Sequence, residues 1–132
     1  MPRVETLMVA LLCANIVILA PVIAALATGF PFDPVALGPP TPALGVLNSI
    51  YAAIAVVSAG LVALHLRRHP WAVPMTVALF AVQITYKFIT LFAVGLQNPV
   101  VMANLAVMLA QIAVLVMLGQ RGITPAGGTS RA

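Results

Sequence analysis

Apolar residues run along this chain in four blocks of spanning length, about 6–28, 43–66, 71–96 and 99–119, with turn-forming residues in the gaps between them and every charged residue but Lys87 outside the blocks. About twenty apolar residues in helical form cross a hydrocarbon core of roughly 30 Å, so each block reads as a transmembrane helix. The gaps have turn chemistry. Residues 29–42 hold prolines at 31, 34, 39, 40 and 42, residues 67–70 make a tight basic turn, and Gln97-Asn98-Pro99 is a short break whose proline suits the first position of a new helix. Short second and third connections make consecutive helices neighbours. The pattern predicts an antiparallel up-down four-helix transmembrane bundle over residues 1–119, followed by a short disordered tail over 120–132.

Composition narrows this to an all-α membrane protein. Of 132 residues, 63% are hydrophobic and 6% charged, against roughly a quarter charged in soluble domains. Arg3, the first apolar block and the triplet Ala25-Leu26-Ala27 imitate a secretory signal with its cleavage site. The block is too long for a typical signal core and right for a span, so it is read as the first helix.

The net charge of +4 does not indicate nucleic acid, because the basic residues are scattered around apolar segments instead of gathered on one face. They order the topology. Arg3, Arg67, Arg68, Arg121 and Arg131 fall on one side of an up-down bundle, and the opposite loops carry no lysine or arginine and one acid, Asp33. The positive-inside rule then places both termini in the cytoplasm, in a multi-pass protein of the inner (plasma) membrane. Trp71, Phe30 and Phe32 lie near the boundaries. Cys13 is the one cysteine, which leaves no intrachain disulfide and no paired-thiol chemistry.

Lys87 is the most functional-looking residue. A charge at hydrocarbon depth costs at least about 2.5–3.5 kcal/mol on insertion scales, so such residues face a bundle interior, a partner or a watery cavity. Lys87 lies roughly eight residues, about 12 Å, from the end of its helix, and helical side chains lean toward the N-terminus, which points it deeper. Thr76, Gln83, Lys87 and Thr90 share one helical stripe. The second block offers Asn48, Tyr51 and Ser58, the fourth Asn104 and Gln111, and the first Asn15. Turned inward, these form a polar core held by interhelical hydrogen bonds. Asp33, on a proline-stiffened loop over the bundle mouth, is the acid on the right side to pair with Lys87. Amide and hydroxyl oxygens, an anionic lipid or an acid on another subunit are the alternatives. The loop itself is read as a connector or a lid. Small residues recur every four positions in the second block, at Gly45, Ser49 and Ala53 and at Ala55, Ala59 and Ala63, an expected close-packing seam within the bundle.

Catalytic and cofactor chemistry finds little footing. His65 and His69 stand at the cytoplasmic end of the second block beside two arginines, where they read as interfacial cation-like residues instead of haem or metal ligands. No serine has a histidine and acid at matching depth, and no carboxylates are paired. No catalytic residue, metal or cofactor is therefore expected.

The string Gln83-Ile84-Thr85-Tyr86-Lys87 in the third block resembles one found in uncharacterised small bacterial four-span membrane proteins, and the layout resembles the broad DoxX-like group. That resemblance implies a four-helix fold. Some DoxX-like members serve quinone or thiosulfate oxidation as accessory subunits, but none of their functional residues has a match here. The expected function is a non-enzymatic accessory or assembly subunit with a polar intramembrane site of Lys87, Gln83, Tyr86, Asp33, Thr90, Asn104 and Gln111 that binds an acidic group. Its partners are the bilayer and a larger membrane protein or further copies of itself. Two alternatives stand: an oligomeric carrier or channel for an anion or acidic lipid, and a quinone-linked redox accessory subunit.

Overall fold

A computed structural model describes residues 3–28 and 41–123. Its described residues fold into four helices, α1 (Arg3–Thr28), α2 (Pro42–Leu66), α3 (Ala72–Val94) and α4 (Pro99–Ile123). All four are long and apolar enough to cross a membrane. They form a bundle in which α1 packs on α2 and α4, and α3 packs on α2 and α4.

The helix ends follow local chemistry. Thr41 is extended and places Pro42 in the first turn of α2, where a missing N–H costs nothing. The exit from α2 is a Schellman turn, in which Arg68 N–H donates to His65 O at 3.0 Å and His69 N–H to Leu64 O at 2.9 Å. That turn needs a left-handed residue, and Arg68 takes the role with φ 52°. Gly95, with φ 89°, ends α3. Asn98 caps α4, its Oδ1 accepting from Val100 N–H at 2.9 Å ahead of Pro99.

Heptad-like spacing sorts the helix faces. The buried residues are Val4, Met8, Leu12 and Asn15 on α1, Tyr51, Ile54, Ser58, Leu61 and His65 on α2, and Ala72, Thr76, Phe80, Gln83 and Lys87 on α3. Val101, Met108, Gln111 and Val114 complete the set on α4. Steps of three and four keep one stripe facing the partners. Val4, Met8, Leu12, Leu61, Phe80 and Val114 pack as one apolar cluster at one end of the bundle. The residues of α1 beyond Asn15 do not reach full burial, and Pro21 lies in that part of the helix.

Two expectations need correction. The small-residue seam of α2 is not its packing face: Gly45, Ser49, Ala53, Ala59 and Ala63 are exposed, and a Cβ built on Gly45 meets nothing within 4 Å. The heptad of larger residues, from Tyr51 to His65, won that role instead. The apolar block expected to end at Gly119 continues as helix through Ile123, so Gln120 to Ile123 are helical where a disordered tail is expected. Asp33 and Arg131, most of the proline-rich connection and the rest of the tail lie outside the described residues.

Candidate functional site

A ladder of polar side chains crosses the bundle interior just beyond the apolar cluster. Asn15 Nδ2 donates to Gln83 Oε1 at 3.1 Å and lies 3.5 Å from Ser58 Oγ. Gln111 Nε2 donates to the same Gln83 Oε1. Lys87 Nζ donates to Gln111 Oε1 at 3.5 Å. One residue from each of α1, α2 and α4 and two from α3 are thus joined, and all five are at most 5% exposed.

Lysine sets the sense of the ladder. An ammonium can only donate, so the oxygen of Gln111 must face it, which turns the Gln111 NH₂ toward Gln83 and requires an oxygen there. Gln83 Oε1 then receives a second donor from Asn15. Gln111 thereby has a partner for both its oxygen and its nitrogen, as buried polar groups require where water is absent.

Lys87 itself is 5% exposed, with a neutral amide oxygen at the limit of hydrogen-bond distance. Its Nζ also stands 5.8 Å from the Tyr86 ring, a cation–π distance. Glu5, the one acid among the described residues, lines a cavity with Val73 at the other end of α3. Val73 and Lys87 are separated by about 21 Å of helix.

The expected site residues divide into two groups. Lys87, Gln83 and Gln111 meet in the ladder, joined by Asn15 and Ser58. Tyr86, Thr90 and Asn104 instead line a neighbouring cavity of about 370 Å³ between α2, α3 and α4, with Tyr51, Asn98 and a wall of Leu and Val. The Thr90 hydroxyl is spent on its own helix, donating to Tyr86 O at 2.8 Å. Asn48 Oδ1 is buried without a hydrogen-bond partner among the described residues. Asp33 lies outside the described residues, so its pairing with Lys87 is not placed.

His65 has a role its sequence neighbourhood conceals. It is 2% exposed, packed inside the bundle, and its Nε2 lies 3.0 Å from Thr76 Oγ1. Thr76 gives its hydroxyl proton to Ala72 O at 2.8 Å. The histidine nitrogen must therefore be the donor, which ties α2 to α3. The sequence signal was its spacing, seven residues from Ser58, which itself lies seven from Tyr51.

No family model, curated protein or solved structure matches this chain.

Proposed function

We propose that this chain is a small, non-enzymatic multi-pass protein of the inner (plasma) membrane, an accessory or assembly subunit whose polar ladder presents Lys87 to an acidic group. One observation carries the reading: a buried lysine with three donors meets a neutral amide at 3.5 Å. Burying a cation so poorly matched is costly, and an anion supplied from outside the bundle repays that cost. The DoxX-like layout is compatible with an accessory role and adds no site residue to it.

An up-down arrangement with both termini cytoplasmic is part of the proposal. It is supported by contacts at successive levels: Glu5 shares a cavity with His65 and Asn15 meets Ser58, His65 meets Thr76 while Asn15 joins Ser58 to Gln83, and Gln111 meets Gln83 while Asn104 shares a cavity with Thr90. The basic turn at Arg67 and Arg68 then lies on the same side as Arg3 and Arg121, as the positive-inside rule favours.

The test is mass spectrometry of the gently solubilised protein, wild type against Lys87→Met. Loss of an acidic lipid or an acid-bearing partner on substitution is the expected result, and unchanged ligands and assembly would refute the reading. The cavity beside Tyr86 favours a second reading, an oligomeric carrier in which an anion or acidic lipid passes Lys87. In that case protein reconstituted alone moves the anion, whereas an accessory subunit does not.

A further inference from the structure

At the opposite end of the bundle from Lys87, Glu5, His65, Arg68 and His69 surround a cavity of about 410 Å³ beside the first turn of α3. Hydrogen bonds already made fix what each can offer a ligand. His65 Nε2 is committed as a donor to Thr76 Oγ1, which leaves its Nδ1 an acceptor. His69 Nδ1 accepts from Trp71 N–H at 3.3 Å, which leaves its Nε2–H a donor. Arg68 brings a guanidinium that only donates, and Glu5 a carboxylate that only accepts. The lining therefore carries a donor pair, Arg68 and His69, and an acceptor pair, Glu5 and His65.

A ligand matched to both pairs has an anion and an ammonium close together. The cavity also lies where the helices meet the turn at Arg67 and Arg68, beside the exposed Trp71, the depth at which lipid headgroups and interfacial tryptophans sit. We propose that this cavity binds a phosphoethanolamine group, the phosphodiester taken by Arg68 and His69 and the primary ammonium by Glu5 and His65, with an aminophospholipid as its source. Arg68 adds independent support. The Schellman turn favours glycine at its left-handed position, yet an arginine occupies it and directs a long bidentate donor from a turn that holds it in place.

The test uses the full chain in detergent, loaded with dioleoyl phosphatidylethanolamine, phosphatidylcholine or phosphatidylglycerol at equal concentration and read by native mass spectrometry. Phosphatidylethanolamine should be retained about tenfold over each of the others, the ratio that one charge-assisted contact of about 1.4 kcal/mol supplies. Phosphatidylcholine lacks the ammonium protons and phosphatidylglycerol the ammonium. Glu5→Gln should abolish the preference over phosphatidylglycerol, and Arg68→Gly, which suits the turn, should weaken retention of all three. Equal retention by the wild type, or a preference that survives Glu5→Gln, would overturn the proposal. Displacement by equimolar soluble glycerophosphoethanolamine would overturn the lipid as its source.

Discussion

Lys87 Nζ and Gln111 Oε1 stand 3.5 Å apart across the α3–α4 interface, a charged donor facing a neutral acceptor inside a bundle of membrane-spanning length. The pair orients the amides beyond it, because the lysine fixes which way Gln111 turns and Gln111 fixes Gln83. Gln83→Leu should leave the Nδ2 of Asn15 and the Nε2 of Gln111 without their shared oxygen. A loss of about 1–3 kcal/mol follows from stranding buried donors, read as a fall in unfolding midpoint in detergent, and Gln83→Glu should lose less because it keeps the acceptor.

The Thr76 hydroxyl is the acceptor that His65 needs. Thr76→Val preserves the shape and removes it, so a drop of about 1–3 kcal/mol in stability is expected, with Thr76→Ser near wild type. Equal midpoints for valine and serine would show that the His65 contact contributes nothing.

Phe80 is fully buried in the apolar cluster, whereas Phe92 is 75% exposed. Phe80→Ala should cost about 3 kcal/mol through lost packing, and Phe92→Ala within about 0.5 kcal/mol of nothing. Steric-trapping or detergent unfolding measurements on the two variants compare them directly.

Much of this arrangement could be read from the sequence, for reasons that differ residue by residue. Thr76, Gln83 and Lys87 stand out because a polar stripe in an apolar helix has few other places to point, and the structure buries all three. Gln111 and Asn15 follow from the same contrast. The separate environment of Tyr86 and Asn104 was not legible, since it depends on the cavity left between α2, α3 and α4. His65 was masked by Arg67, Arg68 and His69, whose charge suggests an interface although its register belongs to the core. On α2 the small residues suggested the packing face, but the larger heptad residues bury more contact area.

Arg68 at φ 52° carries backbone strain of about 1 kcal/mol that glycine would avoid. Arg68→Gly should hold or raise the unfolding midpoint, while Arg68→Val, branched at Cβ, should lower it. A lower midpoint for glycine would mean that the arginine side chain contributes more to folding than its backbone geometry costs.

The orientation proposed from Arg3, Arg67, Arg68 and Arg121 predicts that reporters fused at either end of the chain remain cytoplasmic. Fluorescence of a cytoplasm-dependent reporter and silence of a periplasm-dependent one are expected at both ends. Activity of the periplasmic reporter at one end would refute an even number of crossings.

The most direct test of the central claim is Gln111→Glu, which puts a carboxylate where Gln111 Oε1 now meets Lys87 and lets the Gln83 amide turn over to donate to it. An internal anion should satisfy the lysine and remove its demand for an external one. Native mass spectrometry of wild type, Lys87→Met and Gln111→Glu, each checked for monodispersity, reads the outcome. Acid-bearing ligand or partner present in the wild type and lost from both variants is the predicted result. Undiminished retention in Gln111→Glu would contradict recognition through Lys87.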